Sequence, residues 1–277
     1  MTLDLLVTSG AARLAAAGID NARSEARLLL AHVLGISRGE TLSARDAAPE
    51  EEAAFQGAVA RRADREPLAY ITGHKEFWSL DFAVGPGVLV PRPETETLIE
   101  EALKIYAERP AGLAVGDLGT GSGCLLVAAM KEFPGSIGLG LDSSRQALAF
   151  ARANGLAHNL SARAEMRLDR WDAAPEDSFD LLFCNPPYIA SAAIDSLEPE
   201  VARHEPRAAL DGGADGLDAY RGLAGLLPRL LKPGGHAFLE LGAGQAGTVE
   251  HLFQALEIRG VAPDLSGTPR CLVLQKA

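Results

Sequence analysis

Cysteine is scarce in this 277-residue chain, which contains only Cys124, Cys184 and Cys271. The number is odd and no CxxC or CxxH spacing occurs, so the sequence favours neither a disulfide framework nor a zinc site. The six histidines do not cluster at metal-ligand spacing either. We therefore expect no bound metal.

Long apolar runs are also missing. No stretch approaches the length of a membrane span, and the first residues, "MTLDLLVTSGAARLAAAG", carry Asp4 and no Lys or Arg before their apolar positions. Membrane-spanning helices and secretory signals have a different composition. We expect a soluble, cytoplasmic protein with no membrane partner.

Basic residues are outnumbered, with 26 Lys and Arg against 37 Asp and Glu, which gives a formal charge of −11. An acidic surface repels phosphate backbones, and the short stretch "ARRADR" is the one concentrated basic run. Stable nucleic-acid binding is therefore not expected, unless the fold assembles a basic face from distant residues.

The chain has enough apolar residues, 47%, and enough length for two domains. Its first part is rich in Ala, Leu, Arg and Glu, with helical spacing in "NARSEARLLLAHVLG", where Asn21 is a plausible cap and Gly35 a stop. Gly, Pro and aromatic residues then predict short extended segments. We expect a helical domain over 1–70, a β-hairpin linker over 71–93 and a further domain over 94–277.

The third region alternates apolar strand candidates with helix candidates. The predicted strands contain "GLAVGDLG", "SIGLGLD", "AEMRLD", "FDLLFCN", "HAFLELG" and "CLVLQ", and the predicted helices include segments 122–131, 143–155, 217–231 and 245–256. Such alternation is typical of an α/β fold with a doubly wound, mostly parallel sheet.

A glycine-rich turn follows the first of these strands. Alternating glycines allow a tight strand-to-helix turn and let backbone amides approach a nucleoside closely. An ordinary turn is the alternative interpretation. A dinucleotide fingerprint would need a third glycine where Cys124 stands, which makes an NAD-linked oxidoreductase the weakest option. The candidate cofactor residues here are Asp117, Gly119, Thr120, Gly121, Ser122 and Gly123.

The next strand ends in Asp142. A carboxylate at that position can accept both hydroxyl protons of a ribose diol. Asp142 and Ser143 also stand where a helix opens, so capping of that helix is the alternative role.

The fourth strand ends abruptly in Asn185-Pro186-Pro187-Tyr188. A double proline can simply terminate a strand. However, an Asn side-chain oxygen and a prolyl carbonyl are also rigid acceptors that can hold a planar NH2 group, and a tyrosine ring can lie against its face. The sequence order of this motif, the glycine-rich turn and Asp142 favours the functional interpretation.

These three features together resemble the S-adenosylmethionine-dependent methyltransferases of the Rossmann-like class that act on planar nitrogens. Three further stretches, "PLAYITGHKEFWSLDFAVGPGVLVPRPETETL", "LEPEVARHEPRAALDGGADGLDAYR" and "LKPGGHAFLELGAGQ", are similar to the HemK-type family, the bacterial peptide-chain release factor glutamine N5-methyltransferases. The resemblance implies a helical amino-terminal domain, a β-hairpin and a Rossmann-like catalytic domain. It also implies methylation of the glutamine in the Gly-Gly-Gln loop of class 1 release factors, with S-adenosylhomocysteine as the other product.

The resemblance also implies roles for individual residues. Asn185 and Pro186 would accept the two amide protons of the substrate, Pro187 would stiffen the loop and Tyr188 would lie against the amide. By counting back from Asn185, Asp169 takes the family's acidic position at the adenine, followed by Arg170 and Trp171. The family commonly has an aromatic residue where Arg170 stands, so either Arg170 or Trp171 could cover the ring.

Other interpretations remain open at this point. A methyltransferase for an exocyclic amino group of a nucleic-acid base would need the same acceptor motif, and a non-enzymatic binding module would keep only the pocket. Cys184 is expected to be a buried strand residue rather than a nucleophile, because no partner pattern accompanies it. The roles of a further set of charged residues in the family-like stretches are undecided between substrate contact and structure: Arg92, Glu94, Glu96, Glu198, Glu205 and Arg207.

Overall fold

The structure is a computed structural model that describes residues 1–43 and 45–277. Its helices are α1 (Leu3–Ala16), α2 (Ala22–Leu34), α3 (Pro49–Ala63), α4 (Leu68–Thr72), α5 (Glu96–Ile105), α6 (Cys124–Glu132), α7 (Arg145–Ala157), α8 (Pro199–His204), α9 (Asp218–Leu230) and α10 (Ala246–Glu250). Its strands are β1 (His74–Phe77), β2 (Leu80–Ala83), β3 (Ala114–Leu118), β4 (Ile137–Asp142), β5 (Ala164–Leu168), β6 (Phe179–Cys184), β7 (Leu231–Glu240), β8 (Glu257–Pro263) and β9 (Pro269–Gln275).

Contacts divide the chain into two compact units. One comprises Met1–His74 together with Glu198–His204, and the other comprises Lys75–Leu197 and Glu205–Ala277. The inclusion of α8 in the first unit is a tertiary feature that the local sequence pattern does not reveal. The domain limits at 70 and 93 stay predictions beside this division.

The first unit is helical. Leucines of α1 and α2 pack with Phe55 and Val59 of α3 into a closed apolar core. Helix α2 ends at Gly35, whose φ of 62° is the left-handed conformation that terminates many helices. The predicted stop at Gly35 is thus confirmed, whereas Asn21 makes no capping hydrogen bond within the described residues.

The second unit is built on a seven-stranded sheet with the order β5-β4-β3-β6-β7-β9-β8. The first five strands in this order are parallel, and β9 and β8 add an antiparallel edge. Strands β1 and β2 form a separate two-stranded hairpin. The predicted α/β fold with a mostly parallel sheet is confirmed.

Both faces of this sheet are covered. Helices α5, α6 and α7 pack on one face around Phe133 and Phe183, and the hairpin adds Phe77 and Phe82. Helix α9 covers the other face with Tyr220 and a row of leucines. Burial on both sides explains why "AVGDL", "LGLD" and "DLLFC" are continuous apolar runs and not alternating ones.

Two predictions about the carboxyl-terminal part need correction. The helix expected over 245–256 ends at Glu250, and the chain continues as turns. Residues 257–263 form strand β8, which the sequence pattern did not indicate.

Across 1–43 and 45–277, no helix is both long and apolar enough to cross a membrane. The same residues contain no group of three or more His, Cys, Asp or Glu arranged to hold a metal ion.

Candidate active site

The strand order reverses beside β3. The chain runs from β3 outward to β4 and β5, then returns to place β6 on the other side of β3. Connections that leave two neighbouring parallel strands in opposite directions open a crevice at their carboxyl ends, where α/β proteins bind ligands. A cavity of about 260 Å³ lies there, lined by residues of both strand ends, including Gly119, Gly121, Asp142, Asn185 and Pro187.

The glycine-rich turn forms one wall of this cavity. Its three glycines, Gly119, Gly121 and Gly123, all have positive φ angles. Gly123 shows why: φ is +81°, and a Cβ there would lie 3.3 Å from the Ala151 backbone of α7. The backbone amides of Gly119 and Thr120 both donate to the Leu141 carbonyl, at 2.8 and 3.0 Å, which fastens the turn to β4.

Asp142 fastens the same turn from the end of β4. One carboxylate oxygen accepts from the backbone amide of Gly121 at 2.9 Å, and the other accepts from that of Ser144 at 2.8 Å. Ser144, not Asp142, is the N-cap of α7, since its hydroxyl accepts from the amide of Ala147. Each Asp142 oxygen keeps further lone pairs for a ligand in the cavity, which its side chain helps to line.

Asp117 lies behind the turn instead of in the cavity. It is 1% exposed, and its carboxylate accepts from the Thr120 hydroxyl at 2.6 Å. Burial raises the pKa of Asp117 to about 7, and the Thr120 hydrogen bond opposes the rise. This side chain therefore supports the turn from inside, and its contact with a cofactor stays a prediction.

The loop Asn185–Tyr188 continues β6 into the cavity. Beyond it, Ile189 pairs with Asp211 through a short parallel bridge, and Gln245 donates to the Tyr188 carbonyl at 2.9 Å. A Cβ on Gly216 would lie 2.4 Å from that same carbonyl, so only glycine allows the segment 211–216 to approach this closely. A backbone bridge and a side-chain hydrogen bond thus hold the loop.

Side-chain hydrogen bonds hold the loop from below. Asn185 Nδ2 donates to Thr95 Oγ1 at 3.3 Å, and Thr95 Oγ1 donates to Glu240 Oε2 at 2.5 Å. The Tyr188 hydroxyl donates to Glu240 Oε1 at 3.1 Å. We call this set the Asn185–Thr95–Glu240 chain. Neither Thr95 nor Glu240 was a candidate from sequence, although "FLELG" places a carboxylate at a strand end, as "VGDLG" and "GLD" do.

The predicted adenine residues occupy different positions. Asp169 and Arg170 line an open groove of about 530 Å³ next to the cavity, whereas Trp171 lines both. The Arg170 side chain is 83% exposed and pairs with Asp172 at 3.2 Å. A Cβ on Gly119 would lie 3.5 Å from the Trp171 indole, so this ring faces the glycine-rich turn.

Arg92 lines the cavity and is held there by Glu205. The Glu205 side chain is buried, forms an ion pair with Arg92 and accepts from the Val90 amide at 3.2 Å. Arg92, Thr95 and Pro206 line the cavity. Glu94 is exposed, Glu96 accepts from the Trp78 amide, and Arg207 braces the loop through Asp195 and Asp211.

Cys184 is fully buried at the end of β6, and its thiol donates to the Leu118 carbonyl. Burial raises the pKa of this thiol well above its ordinary value. A neutral buried thiol is a poor nucleophile, which agrees with the structural interpretation of this cysteine.

Relatives among known proteins agree with this arrangement. Residues 6–73 match the PrmC N-terminal domain family, and residues 95–210 match the methyltransferase small domain family. A release factor glutamine methyltransferase from Rhodospirillum rubrum is 47% identical over 100% of this chain and 86% of its own length. The chain belongs to the release factor glutamine methyltransferase family. Another member, from Caulobacter vibrioides, is 45% identical over 99% of this chain and 96% of its own length.

One solved structure shares this fold. A methyltransferase from Pyrococcus furiosus aligns with a TM-score of 0.55 at 19% identity, covering 79% of this chain and 98% of its own. That likeness concerns the fold alone. The resemblance to the release factor glutamine methyltransferase family stated from the motifs is confirmed by the relatives above.

Asp117 leads to a pH-dependent prediction for this family member. Because its pKa is raised to about 7 in the folded protein, ionisation favours unfolding, and the contribution of this group to stability falls as the pH rises from about 4 to 7. Asp117→Asn keeps an acceptor for Thr120 but cannot ionise. We expect the difference in unfolding free energy between the variant and wild type to shift in favour of the variant by up to about 1.4 kcal/mol per pH unit in that range. Above that range the difference should stay constant. Urea denaturation at several pH values measures this gain, and parallel stability curves would contradict it.

Proposed function

We propose that this chain transfers a methyl group from S-adenosylmethionine to the side-chain amide nitrogen of the glutamine in the Gly-Gly-Gln motif of peptide-chain release factors. The observation that carries the proposal is the position of Asn185: it stands at the switch point of the sheet, across one cavity from the glycine-rich turn. A methyl donor and a planar amide can meet only where both walls face the same space.

The donor side of the cavity fits S-adenosylmethionine. Residues of the turn, Gly119 to Ser122, line it with backbone and small side chains, and Asp142 lies at its edge with lone pairs suited to a ribose diol. Asp117 and Gly123 support the turn from behind. When bound, the cofactor supplies an electrophilic methyl group on a sulfonium.

Trp171 is the residue that we assign to the adenine. Its indole faces Gly119 and borders both the cavity and the outer groove, while Arg170 points to solvent. A flat apolar ring at this boundary offers a stacking surface for a purine. Asp169, 40% exposed at the end of β5, can accept from an amino group in the groove.

The acceptor side holds the substrate amide. An amide nitrogen is a weak nucleophile because its lone pair is delocalised, so orientation is the main contribution that the protein can make. The Asn185 oxygen and the Pro186 carbonyl would each accept one amide proton, and the Tyr188 ring would limit tilt. We assign no general base, because the attacked amide is neutral and its surplus proton leaves readily for water after transfer.

The family supports the proposed substrate class. Its members named above are release factor glutamine methyltransferases. We infer that this protein acts in the cytoplasm together with its release factor substrate. The net charge of −11 disfavours stable association with nucleic acid.

The ribose role of Asp142 can be tested by cofactor affinity. We expect Asp142→Ala to weaken S-adenosylmethionine binding roughly tenfold or more, since it removes the diol acceptor and leaves the backbone amides of Gly121 and Ser144 without their acceptor. Calorimetry measures the affinity, with Asp195→Ala as a control that deletes an exposed carboxylate elsewhere in the unit. Equal affinity of Asp142→Ala and wild type would restrict Asp142 to a structural role.

Methyl labelling tests the function directly. The purified protein is incubated with methyl-labelled S-adenosylmethionine and an unmethylated release factor, the same factor with its Gly-Gly-Gln glutamine replaced, or duplex and structured nucleic acids. Label on the first substrate alone supports the proposal. Label on nucleic acid would instead favour a methyltransferase for exocyclic base nitrogens, which needs the same acceptor motif.

A further inference from the structure

We propose that Glu240, acting through Thr95, fixes which end of the Asn185 side-chain amide faces the substrate. This inference rests on the proposed function, because it assigns Asn185 an acceptor role toward a substrate NH2 group. Thr95 and Glu240 are positioning residues in this account, and neither needs to touch the reacting atoms.

The three residues come from distant parts of the chain. Thr95 precedes α5, Asn185 follows β6 and Glu240 ends β7, beside β6 in the sheet. Thr95 is 3% exposed and Glu240 is 1% exposed. Their hydrogen bonds, at 3.3 Å from Asn185 to Thr95 and 2.5 Å from Thr95 to Glu240, are therefore shielded from competing water.

The carboxylate of Glu240 determines which group donates and which accepts at each hydrogen bond of the Asn185–Thr95–Glu240 chain. An ionised carboxylate accepts hydrogen bonds only, so the single hydroxyl proton of Thr95 must point at Glu240. Thr95 then offers Asn185 only lone pairs, which requires the Nδ2 end of the amide to face Thr95. The Oδ1 end is left for the cavity, where it can accept a proton from a substrate amide.

Without this direction the Asn185 amide has no fixed orientation. The two ends of an asparagine amide have nearly the same shape, so packing discriminates poorly between them. In the flipped orientation the Nδ2 protons would meet the NH2 group of the substrate, donor against donor. The Asn185–Thr95–Glu240 chain removes this ambiguity by hydrogen bonding.

Burying the Glu240 carboxylate costs more free energy than burying an apolar side chain of the same size, so simple packing does not account for it. Burial raises the pKa of Glu240, while the hydrogen bond from Thr95, the charge of Arg270 and the hydrogen bond from Tyr188 oppose the rise. Both carboxylate oxygens receive a hydroxyl donor, an arrangement suited to the ionised form. The titratable groups near Glu240 on the surrounding elements are Arg270 and Cys271 of β9, Glu94 beside Thr95, Cys124 of α6, Cys184 of β6, Tyr188 of the loop and Tyr220 of α9.

Matched variants separate positioning from packing. Thr95→Val keeps the shape of the side chain and deletes the hydroxyl, whereas Thr95→Ser keeps the hydroxyl and deletes a methyl group. We expect Thr95→Val to lower kcat on a release factor roughly tenfold or more, with cofactor affinity unchanged, and Thr95→Ser to stay near wild type. Glu240→Gln should also lower kcat, and the double variant with Thr95→Val should be no worse than the poorer single variant, because both changes break one chain.

A second measurement does not depend on methyl transfer. Asn185 is one of only four asparagines, so selective ¹⁵N labelling of asparagine yields few side-chain signals, and the Asn185 signal is identified by its loss in Asn185→Asp. We expect one Nδ2 proton to exchange slowly with solvent in wild type and in Thr95→Ser, and rapidly in Glu240→Gln and Thr95→Val. Glu240→Gln carries this test if Thr95→Val does not fold.

The outcomes distinguish this inference from the proposed function. If wild type methylates the glutamine but Thr95→Val has normal kcat, or Thr95→Ser is as impaired as Thr95→Val, the positioning role is refuted. Unchanged exchange of the Asn185 amide in Glu240→Gln would refute it as well. If wild type labels no release factor, the proposed function is wrong, and slow exchange of that proton would still establish the polarity of the chain.

Discussion

Asn185→Ala is expected to bind S-adenosylmethionine as wild type does and to lose at least about 100-fold in kcat, because misplacing the attacked amide by about 1 Å can cost that much. The cofactor wall is built by the glycine-rich turn and Asp142, whose hydrogen bonds do not involve Asn185. The acceptor that would orient the substrate nitrogen is lost, while the donor side of the cavity is unchanged. Calorimetry with the cofactor and labelled-methyl transfer to a release factor measure the two effects separately.

A control deletes the same amide elsewhere. Asn21→Ala removes a side chain at the exposed start of α2, which makes no capping hydrogen bond in the described part of the chain. This variant should match wild type in both measurements. Normal turnover by Asn185→Ala would eliminate the acceptor role, whereas a parallel loss of cofactor affinity would mean that Asn185 acts mainly by shaping the cavity.

Much of the fold could be predicted from the sequence because its central strands are buried on both faces. Runs such as "FDLLFC" are too apolar and too short for a surface helix. Each is followed by or ends in a polar residue at the carboxyl end of the strand. Strand β8 differs, since residues 257–260 are exposed and carry no run of apolar residues. Its extended form depends on pairing with β9, which a local pattern does not contain.

The predicted helix over 245–256 was too long for a related reason. Val249, Phe253 and Leu256 are all buried, at the spacing of one helical face. The chain buries them through turns after Glu250 instead of a continuous helix. Periodic burial is therefore compatible with more than one backbone path, and the sequence alone did not distinguish them.

The candidate site was predictable where one contiguous segment of the sequence contains the functional residues. The glycine-rich turn and Asn185–Tyr188 each carry their own signal, and Gly119–Ser122 of the turn and Asn185 and Pro187 of the loop line the cavity. Thr95 contacts Asn185, 90 positions away, and Glu240, 145 positions away, so the role of Thr95 and Glu240 appears only in the folded structure. The sequence could not decide whether Trp171 or Arg170 covers the adenine, because either side chain can stack on a purine. The direction in which each side chain points is known only from the folded structure.

Arg62→Met should destabilise the helical unit strongly. The Arg62 side chain is 7% exposed and forms ion pairs with Glu25 at 2.5 Å and Glu200 at 2.8 Å. Removing the cation leaves the Glu25 carboxylate, which is 19% exposed, without its partner, and leaves Glu200 paired only with Arg65. Breaking such a buried pair typically costs about 3 kcal/mol. Since α8 contributes Glu200 to this unit, its docking should weaken together with that of α2.

Hydrogen exchange can measure this change locally. We expect the slowest amides of α2 and α3 to exchange roughly 100-fold faster in Arg62→Met, while those of β6 in the other unit keep their wild-type rates. Arg61→Met is the matched control, because the Arg61 side chain is 50% exposed where that of Arg62 is 7% exposed, and ion pairs with a solvated partner contribute less than about 1 kcal/mol.

The cause of the loss can be separated from simple packing. If the unpaired Glu25 carboxylate is responsible, adding Glu25→Gln to Arg62→Met should restore most of the protection, since a neutral amide costs less to bury than a charge. Equal exchange rates in this double variant and Arg62→Met would attribute the loss to the packing of the arginine stem. Equal effects of Arg61→Met and Arg62→Met would show that burial does not amplify this ion pair, and α8 would then be held to the helical unit by its other contacts.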